Sequence, residues 1–344
     1  MARLANWSLR LLVVASGAIS RVAVAATPGA ECLEVVIDEQ RLQCFERAIG
    51  RAVAAGKAAQ VAGTAESPPA VAAPASQPRP PSLLDNAWGF NPDSNESLIR
   101  LYHPNYALFG RYTSDVNTEP YQPLFDEFAE DADFDSVEAK FQLSFKARLW
   151  ADEERDWGLW FAYTQQNHWQ VYNDDVSSPF RETNYMPEII ASFRPGMALG
   201  DWQWNQLNVG FIHQSNGRSE PISRSWNRVF VEGGIERGNF ALLAKAWARI
   251  EESEEEDDNP DITDYLGYGE LTGIWKRGEG SYTLMLRGNP SKGKGAGQFT
   301  WMSRPLLGPM KAYVQVFSGY GESLIDYDWN QTTFGIGVTL NDRL

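Results

Sequence analysis

In the stretch "VEAKFQLSFKARLW", Val137, Ala139, Phe141, Leu143, Phe145, Ala147 and Leu149 share one parity. Glu138, Lys140, Gln142, Ser144, Lys146 and Arg148 share the other. Successive side chains of a strand point to opposite faces, so this period of two predicts a strand with one apolar and one charged side. A soluble sandwich strand also alternates, but rarely keeps such charge on one face over its whole length, whereas ~9–11 tilted residues cross a bilayer. The same alternation predicts strands over 105–113, 157–166, 184–194, 203–215, 225–236, 239–250, 264–276, 281–289, 297–304, 311–320 and 331–340. That is about a dozen, joined alternately by tight turns ("ERGN", "KRGEG") and by long or acidic connections, as outer-membrane barrels are. Lipid offers no hydrogen-bond partner to an open sheet edge, so such strands must close on themselves. The predicted fold class is all-β: an antiparallel transmembrane β-barrel with an N-terminal periplasmic extension. Inward charges such as Lys140 and Arg148 are expected to pair into a polar plug.

The first hundred residues read differently. "MARLANWSLRLLVVASGAISRVAVAA" has basic Arg3 and Arg10, an apolar run from Leu11 to Ile19 and small residues at Ala23–Ala26, which together predict an export signal over 1–26. A small segment over 27–51 follows, carrying Cys32 and Cys44. In an oxidising compartment these could close a disulfide; alternatively they are two small buried residues of a helix. An Ala/Pro/Ser-rich stretch then cannot bury enough surface to fold and reads as a linker, placed at 52–97, before the barrel at 98–344.

Composition narrows the function. Aromatic wealth (Trp 13, Tyr 13, Phe 17) without long apolar runs suits strands whose rings sit at a membrane boundary. A formal charge of -15 argues against nucleic acid as a partner. The acidic run from Glu251 to Asp258 reads as a solvated loop rather than a cation site.

Parity singles out one hairpin. In "NQLNVGFIHQS", Leu207, Val209 and Phe211 mark the lipid-facing side, and His213 and Ser215 share it. On the returning strand Val229 and Val231 mark the same side, and Asn227 joins them. Polar groups facing lipid are costly and need a reason. Serine, histidine and a hydrogen-bond acceptor are the parts of a nucleophilic hydrolase: one attacks, one takes the proton, one fixes the imidazole. An amide there carries less desolvation cost than a carboxylate. From these residues alone, a polar rim at the head groups is an equal alternative. A porin or scaffold and a secreted soluble esterase also stand as readings, although Trp226 and charges of both signs on the supposed lumen side favour filling over conduction.

"HQSNGRSEPISRSWNR" resembles the active-site segment of the outer membrane phospholipase A family, with further matching blocks "YTQ" (163–165), "SSPFRETNY" (177–185), "DDNPDIT" (257–263) and "SGYGESLIDY" (318–327). The similarity runs from about Leu101 to the C-terminus. It implies a twelve-stranded barrel in the bacterial outer membrane, and a calcium-dependent hydrolase of phospholipid acyl esters (phospholipase A1/A2 and lysophospholipase) active as a homodimer. It further implies Ser215 as nucleophile, His213 as base, Asn227 as its orienter and Gly217 as oxyanion donor helped by calcium. Oxygens of Arg218 and Ser223 from one subunit and of Ser177 from the other would hold Ca2+. Gln165 shares parity with Leu159, Phe161 and Tyr163, and the resemblance places it at the dimer interface, where its lipid-facing amide finds a partner. The chain departs from the family pattern at its end: "NDRL", finishing on Leu344, stands where an aromatic is usual.

Overall fold

The computed structural model describes residues 32, 44, 82–91, 98–123, 125, 133–175, 177–253 and 257–344. The chain divides into two units, Met1–Gln77 and Pro78–Leu344. In the first, Cys32 and Cys44 are joined by a disulfide, with Cα atoms 5.6 Å apart. The expected signal over 1–26 and the rest of the 27–51 segment lie outside the described residues.

The second unit begins with a short helix, α1 (Leu83–Trp88), so the linker expected over 52–97 overlaps folded structure. Its first turn is capped twice. Ser82 accepts from the Asp85 N–H, and Glu236 accepts from the Leu83 and Leu84 N–H groups at 2.7 and 3.3 Å. Asp85 pairs with Arg194 at 2.7 Å, and Trp88 lies under the Lys146 ammonium, 3.4 Å from its ring centroid. These contacts seat the helix against inward-facing residues at the tight-turn end of a barrel.

The barrel strands follow in chain order. β1 (Ile99–Leu101) and β2 (Tyr106–Thr113) both pair with β3 (Val137–Ala151). Next come β4 (Trp157–Trp169) and β5 (Phe180–Phe193), then β6 (Met197–Leu199), which with β5 pairs to β7 (Trp202–Ser215). β8 (Ser225–Arg237), β9 (Phe240–Ile250), β10 (Gly269–Arg277) and β11 (Gly280–Asn289) continue the meander. β12 (Lys294–Leu307), β13 (Met310–Tyr320) and β14 (Asn330–Thr339) complete it. Every pairing between these strands is antiparallel and β14 pairs with β2, so the sheet closes. Counting β1 and β6 as extensions of their neighbours leaves the twelve staves the sequence predicts. The strand expected from 264 starts only at Gly269. Ahead of it, Ile262 and Leu266 are buried at helical spacing in α2 (Ile262–Leu266). Gly267 follows at φ 71°, with its would-be Cβ only 1.8 Å from the Gly288 carbonyl.

Alternation sorts the side chains as expected. Leu143, Ile189, Val209, Phe211, Val229, Val231, Leu271, Leu284, Phe299 and Ile336 are exposed on the outside, an apolar band that only lipid would cover. Ring pairs Trp157–Phe193, Trp202–Phe240 and Trp275–Tyr282 gather at the tight-turn end as an interfacial belt. No helix among the described residues is long and apolar enough to cross a membrane.

Inside, charges neutralise one another. Arg111 bonds Glu138 at 2.7 Å and Glu322 at 2.5 Å, and Lys140 bonds Glu322 at 2.8 Å. Arg181 bridges Glu138 and Asp326 at 3.0 and 3.1 Å. Arg148 lies over the Trp160 ring. At the other end Arg343 reaches Glu232 and Glu270, while Leu344 packs beside Ala241, Leu243 and Ile274. A cavity of about 250 Å³ remains in the lumen, with Tyr106, Glu188, Arg228 and Lys245 among its walls.

Candidate active site

β7 and β8 meet in register His213↔Asn227 and Ser215↔Ser225, and β5 flanks them with Tyr185↔Ser215. Because Val209 and Phe211 are exposed on β7 while Asn208 and Ile212 are buried, the odd positions look outward, and half-buried His213 and Ser215 look with them. Asn227, opposite His213, lies on the same side, and its Oδ1 is 2.9 Å from the imidazole Nδ1. The lumen side of this hairpin is pinned. Gln214 Oε1 accepts from Trp226 Nε1 at 3.0 Å and from Arg228 at 2.9 Å, and the Arg228 guanidinium stacks 3.7 Å over the Trp226 ring. These luminal contacts beneath the strands hold the outer row in place.

Ser215 Oγ accepts from the Gly217 N–H at 3.0 Å. Among the described residues no hydrogen bond joins Ser215 to His213, although the two are separated by a single residue on one face. Gly217 lies at φ 65°, the left-handed region, which turns its N–H back toward the hydroxyl.

The loop after Ser215 is organised by Asn216, which the sequence reading passed over. Its buried side chain accepts from the Arg218 and Arg224 N–H groups at 3.2 and 3.0 Å and donates to the Ile222 carbonyl at 2.7 Å. That clamp fixes Arg218 and Ser223 together. Ser223 Oγ donates to Asp258 at 2.5 Å, and the Arg218 side chain donates to the Phe180 carbonyl at 2.8 Å. Ser177, at φ 60° on the connection between β4 and β5, is exposed and forms no hydrogen bond to Arg218 or Ser223 in the protomer.

Within the run from Glu251 to Asp258, read from sequence as a solvated loop, Glu252 and Asp258 touch this constellation. Asp258 holds Ser223, Asp257 pairs with Arg249 at 2.5 Å, and Glu252 accepts from Asn227 Nδ2 at 2.8 Å. A hydrogen bond to Asp258, and the Asp258 charge, raise the exposed Glu220 carboxyl above its ordinary range. The loop after Ser215 thus offers hard oxygen donors of serine, main-chain and carboxylate type, a donor chemistry that suits a calcium-like cation. Among the described residues there is no cluster of three or more His, Cys, Asp or Glu able to hold a metal, so any such ion would rely on neutral oxygens as well.

On β4, Gln165 accepts from the Tyr163 hydroxyl and donates to Asn167 Oδ1, each at 3.0 Å. Thr183 also donates to Asn167, at 3.1 Å, giving a polar row on the outer wall. The sequence expectation that Gln165 needs a second subunit to find a partner is thereby modified: neighbours two positions along already engage both ends of its amide.

Residues 85–340 match the family model described as phospholipase A1. The phospholipase A1 of Proteus vulgaris is 41% identical over 249 residues, spanning 72% of this chain and 83% of the relative. The structure of outer membrane phospholipase A from Escherichia coli superposes with a TM-score of 0.66 at 38% identity, covering 72% of this chain and 100% of that one. The crystal structure of the Salmonella typhi outer membrane phospholipase dimer with bound calcium gives a TM-score of 0.68 at 37% identity, covering 76% and 98%. A closed barrel with an apolar outer band, joined to these likenesses over most of the chain, leads to one conclusion: the chain belongs to the phospholipase A1 family, whose members cleave carboxylic esters of phospholipids in the bacterial outer membrane.

Proposed function

We propose that hydrolysis runs through Ser215, His213 and Asn227 on the outer wall of the barrel. The observation that carries this reading is the 2.9 Å contact between His213 Nδ1 and Asn227 Oδ1 on the lipid-facing side, one residue removed from the Ser215 hydroxyl. With Nδ1–H donating to the amide oxygen, Nε2 is left as the basic nitrogen. Ser215 Oγ attacks the acyl carbon of a phospholipid while Nε2 takes its proton, and the Gly217 N–H faces the oxyanion that develops. Collapse of the tetrahedral species breaks the ester C–O bond; His213 returns its proton to the departing lysophospholipid alcohol, leaving an acyl-Ser215 ester. Water, deprotonated by the same imidazole, releases the fatty acid. Lysophospholipids presented to the site would be cleaved by the same steps, and either acyl position is open to attack.

The oxygen donors of Arg218 and Ser223, with Ser177 of the partner subunit, would hold Ca2+. That ion would supply positive charge near the developing oxyanion. Shared ligation makes the homodimer the active form, its contact lying on the lipid-facing surface around Gln165. Support comes from the exposed position of Ser177 and from the calcium-bound dimer of the Salmonella typhi relative.

The test is fatty-acid release from phospholipid in mixed micelles by purified protein, with and without a calcium chelator. Ser215→Ala is expected to lower kcat by at least ~10³-fold with the folded barrel retained. Chelation is expected to remove activity and the crosslinkable dimer together. A Ser215→Ala variant that still releases fatty acid at the original rate would overturn the assignment.

A further inference from the structure

Resting on that catalytic reading, we infer that Glu252 is a positioning residue that fixes the Asn227 amide, and through it the histidine tautomer, on the lipid-facing surface. On β9, Ala246, Ala248 and Ile250 face outward, and Ile250 is the register partner of Asn227. Glu252 is the next residue of that parity, just past the strand end, so a carboxylate stands at the rim of the apolar wall where a charge is costly. Its Oε1 accepts from Asn227 Nδ2 at 2.8 Å. Oε2 is buried without a hydrogen-bond partner among the described residues. Among the described residues, the amide is the hydrogen-bond partner of that carboxylate.

The consequence is directional. An ionised carboxylate only accepts, so the NH2 end of Asn227 must face Glu252 and the oxygen end must face His213. The oxygen end in turn requires the proton on Nδ1, leaving Nε2 free to receive the Ser215 proton. Without Glu252 the amide can turn over about its side-chain axis, presenting NH2 to Nδ1 and stabilising the other tautomer, which has no base facing serine. A carboxylate thus orients the site at one remove, with the neutral amide between its charge and the imidazole. Among the described residues of this acidic run, Asp258 is engaged with Ser223 and Asp257 with Arg249.

The experiment measures kcat and KM for phospholipid hydrolysis by the calcium-loaded full-length protein carrying Glu252→Ala, Glu252→Gln, Asn227→Ala, or Glu252→Ala with Asn227→Ala, each checked for the folded barrel by heat-modifiable migration. Loss of a charge-assisted hydrogen bond predicts a kcat ~10–100-fold lower for Glu252→Ala at unchanged KM. Glu252→Gln, which keeps an acceptor for Nδ2, is expected to recover most of the rate. In the Asn227→Ala background, removing Glu252 is expected to change nothing further, since its effect passes through the amide. Wild-type kcat in Glu252→Ala, or a full additional loss in the double variant, overturns the inference. Wild-type kcat in Asn227→Ala would instead overturn the catalytic reading beneath it.

Discussion

At φ 65° Gly217 occupies a backbone region that side chains rarely adopt, and a Cβ there would meet the Tyr185 ring at 3.0 Å. Its N–H contacts the Ser215 hydroxyl only because the chain turns back at that residue. Gly217→Ala should therefore move the donor rather than unfold the protein: the barrel should melt as before, while kcat falls ~10²-fold, the scale of losing one oxyanion donor. Steady-state kinetics beside a thermal scan checks both halves. Intact kinetics would mean that the N–H points at nothing of consequence. Asn216 makes the neighbouring contribution. Five hydrogen bonds meet at one buried residue: its amide oxygen accepts from the Arg218 and Arg224 N–H groups, its NH2 donates to the Ile222 carbonyl and to Glu182, and its own N–H donates to the Arg224 carbonyl, so loop geometry here is set by a side chain rather than by turn type.

Among the elements, α1 shows how a helix of a single turn and a half persists. It is too short to stand by propensity, so its stability must come from tertiary partners. Glu236 accepts from the Leu83 and Leu84 N–H groups and from Ser82 and Asn205, joining helix and wall through one buried carboxylate. Glu236→Ala leaves those donors unsatisfied at a cost of about 2 kcal/mol or more. The expected result is limited proteolysis near residues 82–90 with the strands still protected; an unchanged digestion pattern would show that α1 is held elsewhere. The connection Gly321–Trp329, between β13 and β14, performs a similar service from the other end. Glu322 and Asp326 fold inward from it to meet Arg111, Lys140 and Arg181.

For the molecule as a whole, those inward charges govern its response to acid. Burial works against the ionised forms of Glu322 and Asp326, but the cations beside them prevail: Arg111 and Lys140 for Glu322, Arg181 for Asp326. Both carboxyls are held below the usual carboxylate range. A carboxylate whose folded pKa is depressed contributes stability that is fully present above its unfolded value and is lost as pH falls through the folded one. The temperature needed to convert the folded gel band should therefore stay level from about pH 7 to about pH 5 and drop below about pH 4. A band that converts most easily at neutral pH and is hardened by acid would contradict this.

Much of this was legible in the alternation alone. Val137 to Leu149 against Glu138 to Arg148 determined that a strand has an apolar and a charged face, and repetition of that parity determined a barrel, because the period of a strand is a property of the backbone. Parity likewise puts His213, Ser215 and Asn227 on one side, since alternate residues of a strand share a face. The short helix α2 was hidden, because Ile262 and Leu266 offer only one repeat of helical spacing. What only the tertiary structure decided are the contacts between segments distant in sequence. Glu252 reaches Asn227 from the next hairpin, Asp258 reaches Ser223 across the loops, and Glu322 crosses the lumen to Arg111. Each depends on which strands become neighbours when the sheet closes, and on side-chain reach across that closure, neither of which a local pattern encodes.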